Sequence, residues 1–176
     1  MDTQWPRFQV FVQEQENRPH EDAGSVHAPD TEMALQYARD VFVRRPECVS
    51  LWVAPAEAIF SRTAEELEQP ERASTDDQAG EAAPTEYSLF HKTHSAGKMR
   101  FACNVTAASP EAAMQIGAER FAGQQAFAWW VIPTEKIVHS LPQEAGSLFT
   151  PARDKRFRMA ADFKTHSMMR QIKTES

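Results

Sequence analysis

The octapeptide WVIPTEKI, Trp130 to Ile137, is nearly repeated as WVAPAEAI, Trp52 to Ile59, with five of eight letters identical and in order. The likeness extends upstream in one register. At a shift of 79, RFQVFV (Arg7 to Val12) falls on EYSLFH (Glu86 to His91), and EMALQYARDVF (Glu32 to Phe42) falls on EAAMQIGAERF (Glu111 to Phe121). At the tryptophans the shift becomes 78, so one residue is missing from the second copy near Gln124. Deletions collect in loops, where few contacts depend on register. The chain is therefore a tandem duplication of a unit of about 55 residues. Two copies do not make a solenoid, and a pseudo-twofold body is the simpler outcome.

Within each copy the hydrophobic period changes along the unit. Phe8, Val10 and Val12 alternate with Gln9 and Phe11, and Tyr87, Leu89 and His91 repeat the pattern, as expected of a half-buried strand. A second short strand is expected at Gly24 to Ala28 and at Phe101 to Ala107. Asp30 and Ser109 then stand at equivalent N-cap positions, with Pro110 at the first helical position, where its missing N–H costs nothing. Met33, Ala34, Tyr37, Ala38, Val41 and Phe42 recur at helical spacing, as do Ala113, Met114, Gly117, Phe121 and Ala122. The helices are expected to stop at Pro46 and near Gly123. VSLWVAP and AFAWWVIP read as nearly continuous apolar strands, each ended by a proline that cannot donate to a ladder. The expectation is an α+β protein of two β-β-α-β repeats, each a small sheet with a helix on one face, arranged as a pseudo-twofold intramolecular dimer. The first repeat covers residues 1–62 and the second 87–145, with a linker at 63–86 and a tail at 146–176.

Composition bounds the function. The linker is rich in acidic and small residues and has no aromatic, so it cannot bury enough apolar surface to offset its ordering entropy. The formal net charge is −6, whereas the tail after Pro151 is basic. Net acidity, with no basic patch interleaved with stacking aromatics, argues against nucleic acid as the main partner. No run of 18 apolar residues and no leader-like N-terminus occurs, which predicts a cytoplasmic protein without a membrane partner. Cys48 and Cys103 are not at equivalent positions, so free thiols are expected rather than a disulfide.

The first copy, with WPRFQVFVQ, GSVHAPDTEMALQYARDVFVRR and SLWVAPAEAI, resembles the PaaB family, the B component of the multicomponent phenylacetyl-CoA epoxidase of phenylacetate degradation. The segment GSLFTPARDKRFRMAADFKTHSM, Gly146 to Met168, is similar to the tail of that family. Ordinary members carry one copy, so this chain looks like a fused dimer of such subunits. The second copy departs from the pattern: it lacks the Trp-Pro start, and Gly123, Gln124 and Thr106 replace Arg44, Arg45 and His27. The resemblance implies a non-catalytic bridging or regulatory subunit that is a monomeric pseudo-dimer. Its partners would be the catalytic and structural subunits of the oxygenase, with the di-iron centre in a separate subunit and electrons supplied by a flavin and iron–sulfur reductase.

The residues agree with that implication. A carboxylate-bridged di-iron site wants Glu-x-x-His on two helices, and none occurs. Glu135 with His139, immediately after a strand, reads as a surface pair, and His91 and His94 alone do not make a metal site. No Gly-rich phosphate loop, Cys-x-x-Cys or Gly-x-Ser-x-Gly is present. No catalytic, cofactor-binding or metal residue is therefore assigned. Trp52 and Trp130 read as core packing, and His27 as a hydrogen-bonded core histidine. Partner contacts are assigned to Trp5 and Trp129, which no repeat equivalence requires to be buried, to Arg44 and Arg45 after the first helix, and to Arg153 and Arg156 in the tail. Two other classes compete: a stand-alone small enzyme on a ferredoxin-like α+β sandwich, and an interaction module unrelated to oxygenases.

Overall fold

A computed structural model describes residues 5–43, 48–63, 66, 83–123 and 126–153. The first repeat contributes β1 (Arg7–Gln13), β2 (Glu21–His27), α1 (Thr31–Phe42), β3 (Ser50–Pro55) and β4 (Phe60–Thr63). The second contributes β5 (Thr85–Lys92), β6 (Arg100–Ala107), α2 (Pro110–Arg120), β7 (Ala128–Pro133) and β8 (Val138–His139), followed by α3 (Ala145–Arg153). The caps are those the sequence announces. Asp30 accepts from the Met33 amide at 2.8 Å, and the Ser109 hydroxyl accepts from the Ala112 amide at 3.2 Å. The helices end at Phe42 and Arg120; Pro46 lies outside the described residues.

The eight strands among the described residues form one antiparallel sheet in the order β4-β7-β5-β6-β2-β1-β3-β8. The fold is thus α+β and two-repeat as expected, but the unit is longer than β-β-α-β. Each repeat has a further strand after the proline and a single 3₁₀ turn, and it gives that strand away. Phe60 to Thr63 pair with Val131 to Ala128 of the second repeat, while Val138 and His139 pair with Val53 and Trp52 of the first. Neither short strand has a strong apolar alternation, which is why periodicity did not reveal it.

This exchange requires the sheet to roll. On a flat sheet β3 and β4 would be six ladder steps apart, about 29 Å at strand spacing. Pro55 and Phe60 are joined by only four intervening residues, which reach at most ~18 Å. The interior shows the same closure. Phe11 on β1 and Phe90 on β5, two strands removed from each other, stack with ring centroids 4.3 Å apart. Bulges supply the bend. The register slips between Val10 and Phe11 in the first repeat and between Leu89 and Phe90 in the second, at equivalent places. A bulge adds twist and bends its strand. Gly24, with φ 127°, sits at the first one, where a Cβ would also approach the Phe42 ring at 3.1 Å.

Rolling buries both faces of the strands. Phe8, Val10, Leu51 and Val53 pack under α1 with Ala34 and Ala38, and Leu89, Trp129 and Val131 pack under α2 with Ala113 and Met114. Phe11, Ala54, Phe90, Met99, Ala128, Ile132 and Ile137 fill the interior, flanked by the partly buried Trp52 and Trp130. The half-burial expected for the first strand is therefore corrected: Phe11 has 0% exposure because the other repeat closes over it.

Between the repeats the ladder is thin. β2 and β6 share one Cα pair, Glu21 with Arg100, bounded by the Asp22 amide donating to the Met99 carbonyl at 2.8 Å and the Phe101 amide to the His20 carbonyl at 2.9 Å. The Arg100–Glu21 ion pair at 2.9 Å is solvent-exposed on the arginine side and of the kind worth about 0–1 kcal/mol. More of the cohesion at this seam comes from burial. His20 stacks on Trp52 at 3.6 Å and hydrogen-bonds the Ser50 hydroxyl through Nε2 at 2.9 Å, while Phe101 of the second repeat meets Trp52 edge-on at 5.3 Å.

Two expected outcomes follow from this packing. A Cβ on Gly117 runs into Leu89 Cδ2 and lies 3.3 Å from Trp129 Cζ3, and Ala38 is fully buried under α1. Gly117→Leu and Ala38→Leu should each lower stability by about 1–3 kcal/mol, measured as denaturant midpoints at constant slope; unchanged midpoints would place the wrong helix faces inward. The second concerns pH. Burial first, and then the neighbouring His139, lower the pKa of His20 from 6.5 to about 3. The group is neutral when folded, so its contribution is complete above pH 6.5 and is lost as pH falls toward about 3. His20→Met, which copies the equivalent Met99, should flatten the decline in thermal midpoint between those pH values relative to the parent chain.

Candidate functional site: two outer flanks of the rolled sheet

The two helices lie on the outside of the roll, so each repeat offers an outer flank made of its helix and the start of its third strand, to which the first repeat adds the segment that follows β8. On the first repeat the Trp-Pro start is fastened at the end of β2. The Ala28 amide donates to the Pro6 carbonyl at 3.1 Å, and His27 Nδ1 donates to the Trp5 carbonyl at 2.9 Å. Trp5 then stacks beside Tyr37 of α1 at 6.4 Å and remains 52% exposed, next to the 57% exposed Val41 one turn further along. Trp5 is thus an exposed aromatic held in a fixed pose, the form that interface anchors take. His27 is exposed rather than a core histidine, because its strand position faces outward beside Trp5. Arg44, Arg45 and Arg156 lie outside the described residues, and only the backbone of Arg153 is described, at the end of α3.

Trp129 is not a surface residue. It is 1% exposed in the core under α2, edge-on to His91 at 5.0 Å and tilted against Phe121 at 6.1 Å. The reason is strand alternation combined with the repeat: Trp129 corresponds to Leu51, and both face the helix, whereas Trp130 corresponds to Trp52 and both face the interior. The pairing of Trp129 with Leu51 at the shift of 78 was the signal available in the sequence.

The histidines are dispersed. His91 packs against Phe121 and Trp129, and its pKa is lowered by burial and then by Arg100. His139 meets the Trp52 ring at 4.6 Å, and burial lowers its pKa as well. His94 is exposed beside Thr93. Glu135 lies 3.9 Å from Lys136 in an exposed pair. Among the described residues no three His, Cys, Asp or Glu side chains converge as metal ligands, and no helix is long and apolar enough to cross a membrane. Cys48 is buried and its thiol is pushed up to about 11 by burial; Cys103 is half-buried, and both are free.

The tail at 146–176 was expected to be a basic segment outside the repeats, with Arg153 and Arg156 as partner contacts, but its first part packs into the first repeat. Phe149 of α3 is 5% exposed and seats on the first repeat among Val43, Cys48 and Leu51, with Ala145 and Leu148 beside it. Sequence reasoning missed this anchor because one phenylalanine in a charged segment has no periodic support.

Comparison with known proteins matches both halves. A family model described as phenylacetic acid degradation B covers residues 4–78 and, separately, residues 84–170. The B component of the 1,2-phenylacetyl-CoA epoxidase of Escherichia coli (strain K12) is 44% identical over 62 residues, 35% of this chain and 65% of that protein. The chain thus spans slightly less than two thirds of that relative's length. No solved structure matches. The two family matches bracket the two structural repeats, and the chain belongs to the phenylacetic acid degradation B (PaaB) family, with two copies of its unit in one polypeptide.

Proposed function

We propose that this chain is a non-catalytic bridging or regulatory subunit of a multicomponent oxygenase that epoxidises phenylacetyl-CoA in phenylacetate catabolism. The observation that carries the reading is the double family match laid over a closed, two-repeat body. The Escherichia coli relative, itself a component of a phenylacetyl-CoA epoxidase, supports the substrate class and the assembly. In this reading a separate subunit holds the di-iron centre and performs the chemistry, and the present chain acts in the cytoplasm. The duplicated unit supplies from one chain what two single-copy subunits would otherwise supply, so the chain is a monomeric pseudo-dimer before it meets its partners; the expected linker 63–86 is shortened to the residues between β4 and β5, because Thr63, Thr85 and Glu86 are strand residues.

The side chains are consistent with such a role. Each described histidine has a packing or hydrogen-bonding partner in the scaffold; His20 and His139 flank the Trp52 ring, and no third ligating side chain joins them among the described residues. Partner contacts on the first-repeat side are assigned to Trp5, Arg44 and Arg45, and to Arg153 and Arg156 of the tail. Arginine and tryptophan are the residue types that dominate such contacts.

Light scattering of the isolated protein should give the mass of one chain, 19.9 kDa, across dilution; a persistent two-chain mass would mean that repeats pair between chains. Assembly is tested with purified catalytic subunits and reductase. Arg44→Glu with Arg45→Glu should weaken co-assembly by about 2–5 kcal/mol if those charges are desolvated at the contact. His94→Ala with His139→Ala should leave oxygen-dependent consumption of phenylacetyl-CoA unchanged when the variant is supplied at saturation. Loss of turnover in an intact, assembled histidine variant would overturn the non-catalytic reading.

A further inference from the structure

Among the described residues the two outer flanks are equivalent in backbone and unequal in cover. On the first repeat α3 lies over the flank and seats Phe149 on Val43, Cys48 and Leu51, which are 2%, 5% and 0% exposed. Beside it runs an open cleft of about 560 Å³ whose lining includes Gln13, Val49, Ser140 and Thr150. On the second repeat the residues at the same places are Ala122, Ala126 and Trp129 for the seat, and Lys92, Phe127 and Arg62 for Gln13, Val49 and Ser140. Ala122 is exposed, Ala126 half-buried and Phe127 42% exposed. Trp129 stays covered because Phe121 and His91 lie against it, and the buried His91 Nδ1 has no hydrogen-bond partner among the described residues.

The substitutions change the charge as well as the cover. Lys92 Nζ stands 5.2 Å from the centre of the Phe127 ring, and the Arg62 guanidinium 4.4 Å from that of Phe60. Neither cation forms an ion pair with a described carboxylate. On the first repeat's flank neutral Gln13 and Ser140 stand in their places. The chain's own acidic segment has no counterpart of Phe149 in its sequence. At the register that places Phe149 on the first repeat it carries Glu71, and residues 64–82 include no aromatic side chain.

We propose that the outer flank of the second repeat is the docking site for an acidic helix of a partner subunit, anchored by one large apolar side chain in the place that Phe149 takes on the first. This rests on the accessory-subunit reading above and names a surface and a partner chemistry for it. Lys92 and Arg62 read the acidic residues, and Phe127 and Ala122 take the anchor. The two flanks then differ in specificity, because one is occupied in cis by α3 and the other has no such cover among the described residues.

The test places p-benzoylphenylalanine at position 127 of the full chain, which is then assembled with the purified remaining subunits of the phenylacetyl-CoA epoxidase and irradiated. The expected product is a crosslink to an acidic helix of another subunit. Lys92→Gln with Arg62→Ser, the residues found at these places on the other flank, should cut its yield and the affinity of assembly at least tenfold at low salt, with an unchanged melting curve. A crosslink to residues 64–82 of the same chain, no crosslink in an assembled complex, or a yield insensitive to both substitutions would overturn the docking site and leave the accessory role standing. Failure of the unsubstituted chain to assemble at all would overturn both.

Discussion

The stacked pair Phe11 and Phe90 is the contact on which the architecture turns. The two rings occupy equivalent positions in the repeats and meet at 4.3 Å, although two other strands separate theirs in the sheet. They touch only if the sheet is rolled, and once it is rolled the remaining features follow. Trp52 and Trp130 close around the pair edge-on, at 6.5 Å from Phe90 and 6.3 Å from Phe11. The edges of the two half-sheets come within reach of the short connections from β3 and β7. Each repeat can then hand its last strand to the other, and both open sheet faces leave water at the same time. Burial of this kind is the main favourable term in folding, and here neither repeat alone can complete it.

Reciprocal exchange also explains why one chain serves as a two-part body. A pair of single-copy units related by a twofold axis uses the same patch on both partners. Fusion relaxes that equality. The interior has begun to diverge, with His20 in one repeat where Met99 stands in the other, and the outer flanks have diverged further. The first keeps the Trp-Pro start and receives α3, while the second has lost the aromatic start and gained Lys92 and Arg62. A symmetric core with unequal flanks gives one chain the means to present different surfaces to different partners.

The candidate surfaces were legible to different degrees. Trp5 could be picked out because nothing in the repeat required an aromatic there, and the structure holds it exposed against Tyr37. Trp129 looked similar by that criterion and is a core residue. The criterion failed because it asked whether the same residue type recurred, whereas burial depends on which face of the strand a position occupies. Leu51 and Trp129 share a face and a degree of burial without sharing a side chain. The basic flank around Lys92 and Arg62 could not be read from sequence, since the two residues are thirty positions apart and belong to different repeats.

By itself the sequence determined the duplication, the helix starts at Asp30 and Ser109, the apolar third strands and the family. These are local or self-referential signals: capping residues act within one turn, strand periodicity within a few residues, and a repeat is visible by comparing the chain with itself. Only the tertiary structure decided that β4 and β8 change sides, that both faces of the strands are buried, and that Phe149 belongs to the core of the first repeat. Those outcomes depend on groups far apart in the chain whose pairing yields free energy only after the sheet has closed. A two-residue strand such as β8 has no preference of its own to display; it becomes a strand because Val53 and Trp52 present an unpaired edge where it arrives.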